Sequence, residues 1–410
     1  MSDAPSLVSE QEKDKIMQKQ MRGQSEPTNL LLSAWLVEKI QRANFGLTDF
    51  MRRALAAHRQ MENVFALSLP DMETFEKYIG AKATLMNMPF MALAPVLDDP
   101  RDWESFVDGV MSSQKVEALT EAMPRLDQIT SRDIYHYNQA YVQLIKDVLH
   151  MNMLAVPLLG VSIELANYLR QLPMARLEKA IGSIRFPLFR WRFDDPNFWM
   201  EYAAGWVTEE TVAHYLMRTS PVRTDSLPYK HIWTDLRLER EDKEIYARLM
   251  MAQGCRASTA IDLFNLNPNK ARTTYKDIHG VSSPCGCRAN SLPWYVDNAV
   301  RRLQATVYVW LYRNGLAAGG NIPQSLISAN DIMAKMFGKN LMITADRANH
   351  LTRSMAMDSR LTIAACRGCS TDYVLSNSEG KIELAKDFSC PGCNYLLSTK
   401  AQASKRKTSI

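Results

Sequence analysis

No cysteine precedes Cys255, so no disulfide framework can staple the N-terminal part of this chain, which must fold by burying apolar surface. Long hydrophobic runs are missing too. The longest, residues 151–163, is broken by Asn152, Pro157 and Gly160 and is too short to cross a bilayer. Residues 1–15 carry Asp3, Glu10 and Glu12 and have no apolar core of the signal-peptide kind. These absences lead us to expect a cytoplasmic protein with no membrane association. Proline and glycine are scarce through the N-terminal half, which predicts helices joined by short turns. The sequence has no phosphate-cradling glycine loop and no grouping of nucleophile, base and orienting residue, and its seven histidines are scattered. Binding is therefore expected, not catalysis. Charge of one sign is not abundant either. A formal net charge of +5 is compatible with nucleic acid without deciding for it.

What is present begins with apolar material. Hydrophobic residues make up 46% of 410 positions, enough for two or three packed domains, and 23 methionines suit helix interfaces that repack. The sharpest local signal lies near the C-terminus: Cys366-Arg367-Gly368-Cys369, twenty residues, then Cys390-Pro391-Gly392-Cys393. Two such knuckles offer four thiolates that close a tetrahedron around zinc, and a four-thiolate site is structural because no coordination position stays open. Gly368 and Gly392 are expected to let each knuckle turn sharply. Residues 373–375 and 381–384 read as short strands around a turn at 376–380, the layout of a zinc ribbon. His350 lies nearby, but four cysteines already fill the shell. Cys285 and Cys287 are expected to be free thiols.

Taken in order, residues 1–28 read as a disordered lead-in. From Asn29 onward Leu30, Leu31, Ala34, Trp35 and Ile40 mark a helical face. Two units, 29–128 and 129–220, repeat one another. Residues 67–80 match 169–182; each match is followed by a short apolar segment and then by Asp98-Asp99-Pro100 with Trp103, or Asp194-Asp195-Pro196 with Trp199. Each Asp-Asp-Pro should cap a helix and not supply an acid/base pair. A linker at 221–242 leads to a helical unit at 243–360. There, helices at 258–264 and 269–278 flank the turn Asn265-Leu266-Asn267-Pro268, as a helix-turn-helix requires. Ala271, Thr274, Tyr275 and Ile278 should face inward. Lys270, Arg272, Thr273 and Lys276 then face outward, the side-chain types that reach phosphates and base edges, although a solvated face has the same composition. A long helix is expected at 294–314. Arg347, Arg353 and Arg360 punctuate the approach to the ribbon (361–398), which ends in a basic tail (399–410) holding Lys400, Lys405, Arg406 and Lys407. These tail residues and Arg367 are secondary candidates for DNA contact.

Together these stretches resemble the bacterial flagellar master regulators FlhD and FlhC. The FlhD resemblance is clearest across Ile134-Tyr135, Asn138, Tyr141, Gly160-Val161, Leu172-Pro173 and the run from Phe189 to Asp195, and looser around Asn29 to Leu32 and Leu67 to Met72. The FlhC resemblance spans about 243–393, with Asn269 to Arg272, Tyr275-Lys276, Gly280 to Pro284 and the paired knuckles. By that resemblance Cys366, Cys369, Cys390 and Cys393 fall on zinc ligands. The chain is then expected to bind double-stranded promoter DNA and recruit RNA polymerase, with no enzymatic activity. The family joins two FlhD to each FlhC in a six-chain complex. Two FlhD-like units fused to one FlhC-like unit preserve that ratio, so a homodimer would reproduce the assembly. The FlhD-like units lack cysteine, so no disulfide-linked pairing operates in them. The expected fold is mainly α: two FlhD-like helical domains, then an FlhC-like helical domain with a C-terminal four-cysteine zinc ribbon. The expected function is transcriptional activation of flagellar, conjugative or mobile-element genes; the alternative is a protein-binding adaptor or anti-activator that does not bind DNA.

Overall fold

In the computed structural model, which describes residues 30–109, 113–222, 238–286, 291–357, 360–378 and 381–398, the chain is mainly helical. Helix α1 (Ala34–Ala57) starts where the Ser33 hydroxyl accepts from Leu36 N, and it buries Leu36, Ile40, Leu47, Met51 and Leu55 along one stripe. Next come α2 (Leu69–Lys77), α3 (Ile79–Met86), strand β1 (Leu93–Pro95), α4 (Pro100–Asp108) and α5 (Gln114–Glu121). The same series returns as α6 (Gln128–Met151), α7 (Ile163–Gln171), α8 (Met174–Ile181), β2 (Phe189–Trp191), α9 (Pro196–Ala203) and α10 (Glu209–Arg218). Both Asp-Asp-Pro sites cap as expected: Asp99 accepts from Arg101 N, Asp195 from Asn197 N, and proline fills the first turn.

The repeat is real, but its first half has a different register from the one the sequence suggests. Ser68 caps α2 and Ser162 caps α7, so residues 69–77 correspond to 163–171, not to the stretch after 169. Pro70 sits in the first turn of α2, whereas Pro173 is the N-cap of α8. Each unit holds two short amphipathic helices of similar Leu and Glu-Lys texture, and a local match slides from one to the next.

The two units meet about a local two-fold axis. β1 pairs antiparallel with β2 in the register Leu93↔Trp191, Ala94↔Arg190, Pro95↔Phe189, and α1 packs on α6. Ala94 and Arg190 are the middle residues of equivalent strands, so the pairing is isologous, as in a symmetric dimer. A buried asparagine makes the same bracket in each unit. Asn44 Nδ2 donates to Phe90 O (2.7 Å) and its Oδ1 accepts from Ala92 N (2.9 Å); Asn138 does the same with Phe186 O (2.9 Å) and Leu188 N (2.7 Å). These bonds satisfy backbone groups beside a sheet only two strands wide, and stranding such a pair costs about 2 kcal/mol or more.

Arg192 breaks the symmetry where the first unit has Val96. It is buried, with Nε donating to Thr219 Oγ1 (3.0 Å) and Nη2 to Leu216 O (3.2 Å), and Nη1 3.4 Å from Met91 O. Burial among dipoles lowers its pKa to about 9. The contact needs Gly160, whose φ is +67° and whose Cβ would lie 3.2 Å from the guanidinium. Arg192 thereby ties the end of α10 to both units.

The C-terminal half comprises α11 (Arg240–Ala252), α12 (Ala257–Phe264), α13 (Pro268–His279), α14 (Ala299–Ala317), α15 (Ile322–Phe337) and α16 (Ala345–Met357). The helix expected from 294 starts later, because the Asn298 side chain caps it at Ala299; Trp294 sits on a preceding 3-10 turn, Pro293–Tyr295. α11 begins at Arg240, inside the expected linker, most of which lies outside the described residues. A three-stranded antiparallel sheet follows: β3 (Leu361–Ala365), β4 (Asp372–Ser378) and β5 (Lys381–Ile382), in the order β3-β4-β5. β4 covers the expected strand at 373–375 but runs on through Ser378, into the stretch expected to turn, β5 covers only the start of the strand expected at 381–384, and β3 is an addition. Among the described residues no single helix is long and apolar enough to cross a membrane.

Candidate metal centre and nucleic-acid interface

The first knuckle joins β3 to β4 and the second follows β5, and the two meet sulfur to sulfur. Cys366 Sγ lies 3.8 Å from Cys393 Sγ and Cys369 Sγ 3.6 Å from Cys390 Sγ, with all four sulfurs within 4.8 Å of one another. Tetrahedral zinc with bonds of about 2.3 Å requires sulfur-to-sulfur edges of about 3.8 Å, so the donor set fits that geometry. Backbone N–H groups point at the sulfurs: Gly368 N is 3.4 Å and Cys390 N 3.2 Å from Cys366 Sγ, and Cys393 N is 3.3 Å from Cys390 Sγ. Burial and the neighbouring thiols push the Cys393 thiol up to about 12, and a bound cation would favour its thiolate. The four cysteines can hold a metal ion, and their chemistry is compatible with zinc.

The glycines serve a different purpose from the one expected. The left-handed residues of the knuckles are Ser370 (φ 57°) and Tyr395 (φ 53°). Gly368 and Gly392 are needed for close approach instead: a Cβ on Gly368 would lie 3.1 Å from Cys393 Sγ, and one on Gly392 only 2.4 Å from the His214 ring. His214, buried on α10, has Nδ1 2.8 Å from the Tyr373 hydroxyl, and its ring also hydrogen-bonds the Cys369 sulfur. Thr208 Oγ1 donates to Leu397 O at 3.0 Å. The ribbon is thus docked onto the second repeat unit by a histidine whose sequence position carried no spacing signal. The docking distinguishes the two units. α10 buries every residue from Glu210 to Met217, whereas its counterpart α5 buries none. Gly392→Ala should destabilise the chain by about 1–3 kcal/mol through overpacking. In a His214→Ala background the cost should largely vanish; thermal melts of the double-mutant cycle test this, and additive losses would disprove the contact.

In the helix-turn-helix, Asn265 (φ 52°) ends α12. The Asn267 side chain accepts from Asn269 N and Lys270 N, Pro268 fills the first turn of α13, and Gly280 (φ 71°) closes it. Ala271 and Tyr275 are buried; Thr274 and Ile278 are half-buried. His279 Nε2 lies 2.7 Å from Met251 O and ties α13 to α11. From α16, Asp346 Oδ1 accepts from Arg256 N (3.0 Å) and Thr259 Oγ1 (2.8 Å), while Oδ2 lies 3.1 Å from Arg256 Nε. That carboxylate anchors the start of α12 to the helical body.

Lys270, Arg272, Thr273 and Lys276 are all exposed, but they do not share one surface. Lys270 lines a cleft of about 860 Å³ with Ile245 and Arg248 of α11, and its Nζ is 2.7 Å from Glu244 Oε1. Arg272, Thr273 and Lys276 line a separate groove of about 430 Å³ with Ser258 and the loop 282–286. Neither Arg272 nor Lys276 has a carboxylate partner among the described residues. Arg367 is exposed on the first knuckle, where its backbone N–H donates to Phe388 O at 3.1 Å. Cys285 is an exposed free thiol. Cys287, Lys400, Lys405, Arg406 and Lys407 lie outside the described residues. No family model and no curated protein matches this chain.

Proposed function

We propose that this chain is a DNA-binding transcriptional activator, a fused counterpart of the FlhD and FlhC regulators that binds promoter DNA and recruits RNA polymerase. The observation that carries this reading is the pair of exposed cations Arg272 and Lys276, without a carboxylate partner among the described residues, on the second helix of an anchored helix-turn-helix. Cations held against a protein body without carboxylate partners are available to phosphates, and releasing the phosphates' counterions drives association. The isologous pairing of the repeat units supports the FlhD-like assignment, since a duplicated unit that dimerised as separate chains would pair in this way. The four-thiolate ribbon has a structural role in this reading, and its metal is zinc. Two copies of the chain associate to give four FlhD-like and two FlhC-like units.

Mobility shift of genomic promoter fragments over a salt series tests the proposal. Specific complexes should weaken steeply as salt rises, and the free protein should have a dimer mass by light scattering. Binding of partner proteins without any salt-sensitive DNA complex would favour the adaptor instead, and a monomer mass would remove the dimer.

A further inference from the structure

Trp294 belongs to neither the ribbon nor the helix-turn-helix, yet two guanidinium groups lie over its indole. Arg301, from the first turn of α14, is 4.5 Å from the ring centroid, and Arg347, from the first turn of α16, is 3.5 Å away. All three side chains are half-buried. Tyr295 fixes the turn from beneath: its hydroxyl donates to Arg347 O at 2.8 Å and lies 3.0 Å from His350 Nδ1, with the two rings stacked.

The nearby carboxylates are committed elsewhere. Asp346 holds Arg256, and Asp297 lies 3.5 Å from Lys381 Nζ. Neither Arg301 nor Arg347 has an ion-pair partner among the described residues. Burial first, and then the charges of Arg347 and Arg360, hold the His350 imidazole below its usual pKa. Two unneutralised guanidiniums on one indole repel each other, and an anion between or beside them would relieve that repulsion. A guanidinium stacked on an aromatic face is held rigidly while its N–H edge stays free for phosphate oxygens.

From these observations we infer that Trp294, Arg301 and Arg347 form a second DNA-backbone contact, separate from α13, that clamps a phosphate of the same duplex. The inference rests on the DNA-binding reading above. Placement favours the duplex over a free anion, because Arg347 follows directly on Asp346, the residue that anchors the start of α12. Ala257 and Ser258 of that same helical turn line the groove of Arg272 and Lys276. As a contact to the backbone it carries no base information.

The test is binding of the full-length, metal-loaded chain to a mixed-sequence DNA duplex over a salt series, read by fluorescence anisotropy. Arg301→Gln/Arg347→Gln should weaken binding on the order of tenfold at physiological salt and flatten the slope of log affinity against log salt by about 1 to 2. Arg301→Lys/Arg347→Lys keeps both charges and should keep the slope. A parental slope and affinity in the glutamine variant, with the parent binding the duplex, would overturn the clamp and leave the α13 surface standing. Equal loss in the lysine variant would also overturn it, by showing that packing and not charge was removed. Failure of the parent to bind any duplex would overturn both readings together.

Discussion

Cys390→Ser is expected to release the metal and undock the ribbon. Metal content measured by mass spectrometry on the purified chain should fall from one ion to near none, and retention of one ion per chain would refute the four-thiolate site. The effect should be large because structural zinc sites contribute on the order of 10 kcal/mol of apparent binding free energy at neutral pH, comparable with the stability of a whole domain. Cys390 is wholly buried, and its Sγ is the partner of both Cys369 Sγ and Cys393 N. Its loss therefore removes one vertex of the cluster and one backbone anchor of the second knuckle.

How far the damage spreads follows from what the ribbon touches. Val374 N donates to Thr306 Oγ1 on α14, Arg302 Nη2 lies 2.6 Å from Glu383 Oε1, and His214 and Thr208 reach the ribbon from α10 and its cap. Hydrogen exchange should accelerate in β3, β4, α10 and the side of α14 that packs on β4. The paired repeat units should keep their protection, because β1–β2 and the α1–α6 contact lie within those units. Loss of protection throughout α1 and α6 would mean that the ribbon supports the entire chain.

The second large effect is loss of DNA binding on reversing both groove charges. Arg272→Glu/Lys276→Glu should weaken promoter binding on the order of a hundredfold or more, taking about 1–3 kcal/mol for each lost contact before the added repulsion. It should also flatten the salt dependence by about 2. Folding should be nearly unaffected, since both side chains are exposed and unpaired and such surface changes usually stay within about 0.5 kcal/mol. Lys270→Glu should do less: Lys270 faces the other cleft and already has Glu244 beside it. Unchanged mobility shift for the double variant would move the DNA surface off α13.

Local signals in the sequence translated well into structure. Knuckle spacing placed the four thiols, Asp-Asp-Pro marked two helix starts, and the Asn265 to Pro268 turn marked the break between α12 and α13. Each of these depends on residues within a few positions of one another, whose geometry the backbone itself restricts. Non-local features could not be read in this way. The repeat register slid by one helix because amphipathic helices of similar length look alike, and only the Ser68 and Ser162 caps align them. The apolar character of Trp294 suits a helix, whereas the Asn298 cap starts that helix after it.

By itself, then, the sequence determined the helical character, the four cysteines that could hold a metal, the caps and the identity of the outward-facing cations, all properties of short stretches. Tertiary structure alone decided which cations share a groove, why Gly392 must be glycine, and which repeat unit receives the ribbon. The reason is physical. His214 is far along the chain from Cys369 and Gly392, and Arg347 from Trp294 and Arg301, so each group meets only after the core has packed.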